Sequence, residues 1–216
     1  MIDRYDAIFF DNDGILVDTE PLFFQATREI LATVGVELSA DLYHDWVMRQ
    51  GRTGFELVSE KGISDKEILE MRRVRGARYN ALIQEGVRVL DGVHETMDAL
   101  RGVRPKAIVT SSSRDHFDEM HLQTGLVSNF DFVLADGDYA RHKPYPDPYL
   151  AAAERIGVDP ARCLAIEDTE RGVVSATDAG MACVAIPNEL TAGADFSRAV
   201  VKLDSMAALP GWLDLR

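Results

Sequence analysis

Ala7-Ile8-Phe9-Phe10-Asp11-Asn12-Asp13-Gly14 packs an apolar run, two carboxylates and a glycine into one short stretch. An apolar run of this length, stopped by charge, reads as a short buried strand ending at Asp11. Carboxylates two residues apart in extended chain point the same way, and Gly14 lets the backbone turn away after them. Comparable runs recur at Ala107–Val109, Phe132–Leu134, Cys163–Ile166, Ala182–Ile186 and Val200–Leu203. Between them lie amphipathic helical patterns, Phe117/Met120/His121, Tyr149/Leu150/Ala153/Ile156 and Val173/Val174/Thr177. Strand and helix in alternation predict an α/β fold with a doubly wound, Rossmann-like parallel sheet.

One interval breaks the rhythm. From Asp11 to Thr110 is about 100 residues, whereas a βαβ unit needs only ~30. The surplus is helical in pattern: Phe23/Thr27/Ile30/Leu31/Val34, with Thr19 as N-cap and Pro21 in the first turn, then segments near residues 40–50, 54–60 and 65–83. We therefore expect a helical cap domain inserted over residues 16–86 and an α/β core built from residues 1–15 and 87–216. No repeat, Walker P-loop or Gly-x-Gly-x-x-Gly fingerprint is present.

Composition narrows the partners. With 46% hydrophobic and 27% charged residues, the 216-residue chain has the make-up of an ordinary globular protein. Its 36 acidic and 23 basic side chains give a formal charge of -13, which repels nucleic acid and anionic membranes. An anionic small molecule would need local cations to overcome that field. Cys163 and Cys183 each sit in an apolar run and read as reduced core thiols. No stretch approaches the ~18 apolar residues of a membrane span, and no secretory leader is visible. We expect a cytoplasmic protein with no nucleic acid, no membrane and no obligate protein partner.

Four motifs fall at strand ends, each with a structural reading beside the chemical one. Asp11 and Asp13 could serve only to make a turn. Thr110-Ser111-Ser112-Ser113 could cap a helix, or its hydroxyls and N–H groups could hold a phosphate oxygen. Lys143, in His142-Lys143-Pro144-Tyr145-Pro146-Asp147-Pro148, could be solvated, or the prolines could aim it at a fixed anion. His142 has no evident role. Glu167-Asp168-Thr169 could be acids favoured at a helix start, or ligands for a hard cation. A doubly wound sheet gathers all four on one edge. Three or more carboxylates beside a phosphate would repel it, so a divalent cation and Lys143 are both called for.

Asp-x-Asp-Gly-x-x-x-Asp-Thr-Glu (Asp11 to Glu20), the Thr110 segment, Lys143-Pro-x-Pro-Asp and Glu167-Asp168-Thr169 together resemble the haloacid dehalogenase superfamily over nearly the whole chain. The branch most similar holds β-phosphoglucomutase, phosphoglycolate phosphatase and sugar-phosphate phosphatases. The resemblance implies that Asp11 is the nucleophile and Asp13 the general acid and base. It implies that Thr110, the Ser111 backbone and Lys143 hold the phosphoryl group. Mg²⁺ would be held by Asp11, the Asp13 carbonyl, Glu167 and Asp168. A carboxylate at Asp13 argues against dehalogenation and phosphonate cleavage, whose enzymes lack it.

The expected activity is therefore hydrolysis of a small phosphate monoester. A phosphosugar mutase is the alternative within the family, and a non-catalytic phosphometabolite-binding module the alternative outside it. In the mutases a histidine soon after the first motif couples activation of the acid to substrate closure. At the matching position this chain has Phe23. Arg52, between Gly51 and Gly54 in the insertion, is a candidate substrate contact.

Overall fold

The computed structural model describes residues 1–216 except Gly51, Glu60, Leu190 and Arg216. The strands are β1 (Ala7–Phe10), β2 (Val17–Asp18), β3 (Arg88–Val89), β4 (Lys106–Ser113), β5 (Phe132–Asp136), β6 (Cys163–Glu167), β7 (Ala182–Ala185) and β8 (Val201–Lys202). The helices are α1 (Glu20–Ala32), α2 (Ala40–Tyr43), α3 (Glu56–Ser59), α4 (Asp65–Glu85), α5 (Val93–Ala99), α6 (Arg114–His121), α7 (Asp147–Ile156), α8 (Glu170–Asp178) and α9 (Leu209–Trp212). None of these helices is long and apolar enough to cross a membrane.

Six strands form one parallel sheet in the order β5-β4-β1-β6-β7-β8. Alternation along each strand decides which helices it meets. Ile8, Phe10, Ile108, Leu164, Ile166 and Val184 point to one face, packed against α5, α6 and α9. Ala7, Phe9, Ala107, Val109, Ala165 and Ala185 point to the other, against α7 and α8. Phe9 stands in register between Ala107 and Ala165, small neighbours that leave room for its ring. Both faces are covered, so the strands read as continuous apolar runs rather than alternating ones.

The chain divides into two compact units, Met1–Asp18 with Arg88–Arg216, and Thr19–Val87. The first unit carries the six-stranded sheet. It keeps residues 16–18 because β2 pairs antiparallel with β3, Val17 opposite Val89, and Arg88 Nη2 bonds Asp18 Oδ2 at 2.8 Å. Two-residue strands leave no hydropathy signal, so the sequence does not announce this ribbon.

The second unit is helical, with its own core of Leu31, Leu38, Phe55, Val58 and Ile68. Thr19 is at the N-cap position of α1 and Pro21 lies in its first turn. Ser64 and Glu67 form a capping box at the start of α4. The segment after α2 continues as a π-helical turn over His44–Arg49. Phe23 meets Tyr79 edge-on at 5.5 Å, and the Arg75 guanidinium lies 4.2 Å from its ring centre.

Phe10 is fully buried and meets Phe130 edge-on at 5.7 Å. Phe10→Ala removes that packing from the central strand and is expected to cost about 3–5 kcal/mol. Urea unfolding followed by far-ultraviolet circular dichroism measures it.

Candidate active site

A parallel sheet brings the carboxyl ends of its strands to one edge. Asp11, Asn12 and Asp13 follow β1, Thr110, Ser111 and Ser112 end β4, Glu167 ends β6 with Asp168 next, and Lys143 precedes α7. The chain turns sharply after β1: the Asn12 carbonyl accepts from Leu16 N–H at 2.8 Å, and Gly14 N–H donates to the Val17 carbonyl at 2.9 Å. Gly14 has φ +82°, and a Cβ there would lie 2.0 Å from Asp168 Oδ2. Only glycine allows both the turn and the carboxylate behind it.

Lys143 is buried, and its ammonium spends its donors on Asp11 Oδ1 at 2.8 Å, Glu167 Oε1 at 2.6 Å and the Val109 carbonyl at 2.9 Å. Burial pulls the lysine pKa down, but the charges of Asp11 and Glu167 overcome it and hold it above its ordinary value. Lys143 is therefore a fixed cation. Glu167, fully buried, also accepts from Tyr149 Oη at 2.6 Å. Burial raises its pKa, against the pull of Lys143 and with the push of Asp11.

Asp13 Oδ2 accepts from Ser112 Oγ at 3.0 Å and Thr110 Oγ1 at 3.4 Å. The Thr110 hydroxyl in turn accepts from Ser112 N–H at 3.0 Å, which leaves its proton for Asp13. Tyr139 Oη donates to the Thr110 carbonyl at 2.7 Å. Ser111 Oγ is buried without a hydrogen bond.

Asp168 Oδ2 accepts from Asn188 Nδ2 at 3.2 Å, while its Oδ1 is buried with no hydrogen-bond partner. Burial, then the charges of Asp11 and Glu167, push its pKa well above the usual carboxylate range. Oxygens of Asp11, Glu167 and Asp168 all lie within 4.8 Å of one another. An orphaned buried carboxylate oxygen in an all-oxygen donor set fits a hard divalent cation.

A family model for haloacid dehalogenase-like hydrolases matches residues 8–186, which span all four motifs. The chain belongs to that family. Protein CbbY of Rhodobacter capsulatus is 34% identical over 216 residues, covering 94% of each chain. Fructose-1-phosphate phosphatase YqaB of Escherichia coli (strain K12) is 30% identical over 190 residues, 85% of this chain and 97% of the relative. The crystal structure of CbbY from Rhodobacter sphaeroides in complex with phosphate matches with a TM-score of 0.79 at 27% identity, covering 98% of this chain and 100% of that one. Like the named phosphatase among its relatives, this hydrolase acts on phosphoric monoesters.

In the hydrolase, Asp11, Lys143, Glu167 and Asp168 form one cluster, and Asp13 joins Thr110 and Ser112 beside it. The Asp13 side chain does not belong to the three-carboxylate group. His142 is exposed and faces Asp136 Oδ1 at 3.5 Å. Arg52 is engaged within the helical unit, stacked 3.4 Å over Trp46 and bonded to Glu56 at 2.9 Å. Its neighbour Gly51 lies outside the described residues. Sequence reasoning missed Tyr149, Asn188 and Gly172. A Cβ on Gly172 would lie 1.9 Å from Glu167 Oε2.

Gly172→Ala is therefore expected to displace Glu167 and lower kcat at least about tenfold, or ~1.4 kcal/mol in the barrier. Turnover of p-nitrophenyl phosphate, with circular dichroism as a check on folding, measures it.

Proposed function

We propose that the chain hydrolyses small sugar phosphates through a phosphoaspartate on Asp11, with Mg²⁺ as cofactor. The observation that carries this is the buried Lys143 ammonium bonded to Asp11 and Glu167, with Asp13 held a short way off by hydroxyls of β4. Lys143 fixes the rotation of the Asp11 carboxylate for attack on phosphorus. As that bond forms, the ester P–O bond breaks, and Asp13 gives its proton to the departing alkoxide. Asp13 then takes a proton from water as the water oxygen attacks phosphorus, the Asp11–phosphoryl bond breaks, and inorganic phosphate leaves. Thr110, the Ser111 N–H and Lys143 are assigned to the phosphoryl oxygens.

Asp11, the Asp13 carbonyl, Glu167 and Asp168 are the residues assigned to hold Mg²⁺, and Asp168 Oδ1 has the uncommitted oxygen such a site needs. Bound there, the cation would neutralise charge on the phosphoryl group. Sugar phosphates are favoured because the relatives include a fructose-1-phosphate phosphatase. We assign the helical unit the role of a cap, and Arg52 to the sugar moiety in exchange for its pairing with Glu56. Two buried free thiols suit the reducing cytoplasm.

Hydrolysis is favoured over mutase chemistry by Phe23. Its ring is already used against Tyr79 and Arg75, and it has no hydrogen-bonding atom with which to restrain the acid until a sugar phosphate arrives. Water should therefore discharge the phosphoenzyme.

Asp11→Asn is expected to abolish turnover, and EDTA to silence the wild type until Mg²⁺ is restored. Asp13→Asn should slow catalysis by ~10²–10⁴-fold yet still accumulate a phosphate adduct from p-nitrophenyl phosphate, visible by intact mass. Absence of that adduct would count against Asp13 as the base for water. For the choice between hydrolase and mutase, the enzyme is incubated with β-glucose 1-phosphate and a trace of β-glucose 1,6-bisphosphate. Free phosphate is the expected product, and rapid formation of glucose 6-phosphate with negligible phosphate would overturn the hydrolase assignment.

A further inference from the structure

Asn12 stands between the two aspartates and is fully buried, a place an amide occupies only when paired. Its Oδ1 meets His121 Nε2 at 2.7 Å, and its Nδ2 donates to Asp13 Oδ2 at 3.3 Å and Met120 Sδ at 3.4 Å. His121, at the end of α6, is itself buried and lies tilted against Phe117 with ring centres 4.4 Å apart. On its far side Nδ1 meets Thr124 Oγ1 at 2.8 Å. Thr124 Oγ1 also accepts from Leu126 N–H at 3.3 Å, which leaves the threonine proton for the histidine.

These contacts have one consistent polarity. Burial pushes the His121 pKa down to about 4, so the ring is neutral and carries one N–H. With that proton on Nε2, every link donates toward Asp13. With it on Nδ1, Nε2 would have to accept from the Asn12 amide, which turns the amide carbonyl toward the Asp13 carboxylate. Two acceptors would then face each other beside a buried site. The carboxylate at one end and the backbone N–H at the other thus fix the direction of the whole chain.

We propose that the hydrogen-bond chain Leu126–Thr124–His121–Asn12 is a positioning device for Asp13, holding its carboxylate in the orientation from which it serves the leaving-group oxygen. Ser112 and Thr110 bond the same oxygen from β4, so Asp13 is held from β4 directly and from α6 through Asn12. The proposal rests on Asp13 being the general acid.

The test compares kcat/KM for phenyl phosphate, whose leaving group needs protonation, with that for p-nitrophenyl phosphate, whose leaving group needs little. Asp13→Asn is expected to lower the phenyl to p-nitrophenyl ratio about tenfold or more. His121→Phe should lower it about fivefold, the worth of roughly one hydrogen bond, and Thr124→Val about twofold. His121→Gln, which restores a donor toward Asn12, should return the ratio to within about twofold of wild type. A ratio unchanged in Asp13→Asn refutes the general acid itself. A ratio lowered in Asp13→Asn but unchanged in His121→Phe and Thr124→Val overturns the positioning chain. If His121→Phe does not fold, Thr124→Val decides alone, and a wild-type ratio there overturns it.

Discussion

One buried ammonium ties the sheet edge together. Lys143 Nζ, with 2% of its side chain exposed, reaches a carboxylate after β1, a carboxylate ending β6 and a carbonyl of β4. The sheet order places β1 between β4 and β6, so all three partners converge only if those strands end level. Without the lysine, Asp11 and Glu167 would remain as uncompensated buried charge, a situation that costs several kcal/mol. Without either acid, the ammonium would be the orphan. The cation and the strand ends are thus mutually required, and the loops that carry the chemistry inherit their positions from that requirement. Tyr149 extends the tie into α7 through its bond to Glu167.

Glycine does the complementary work by leaving space. Beside this cluster the carboxylates of Asp168 and Glu167 occupy volumes that a Cβ on Gly14 or Gly172 would fill. Each glycine is at the start of a turn or helix that follows a strand: Gly14, after β1, faces the acid that follows β6, and Gly172, in α8, faces the acid that ends the strand before it. Close approach of backbone to carboxylate is what lets four acids share one edge with one lysine.

The sheet was legible because its strands are buried on both faces and so appear as uninterrupted apolar runs. β1 has the boundaries that hydropathy gives, β4 and β6 extend further into the polar segments that carry the site, and β5 runs on to Asp136. The acids were legible in the sequence because charge at a buried strand end is conspicuous, and Lys143 because prolines follow it. What supports them was not. Tyr149 fits the apolar face of α7 and does pack there, so nothing in its spacing marks a hydroxyl directed at Glu167. His121 likewise counts as one more residue on the inner face of α6, 109 positions from the Asn12 it bonds. In the Thr110–Ser113 run the hydroxyls divide their work: Ser113 caps α6 by accepting from His116 N–H, while Thr110 and Ser112 turn to Asp13. Such divisions depend on three-dimensional partners far away in the chain.

Charge explains why the donor set is arranged as it is. A chain with net charge -13 offers an anionic substrate no help at long range. Lys143 offers less than its charge suggests, because two carboxylates already neutralise it. Acidic groups at Asp11, Glu167 and Asp168 outnumber that one ammonium where a phosphate would have to sit. The N–H groups and hydroxyls of β4 supply directed dipoles but no net charge. A divalent cation among Asp11, Glu167 and Asp168 would offset much of that excess, and Asp168 Oδ1, buried and unbonded, is an oxygen such an ion would satisfy. On these grounds the cation would be a condition for the phosphate to enter at all, as well as for its transfer.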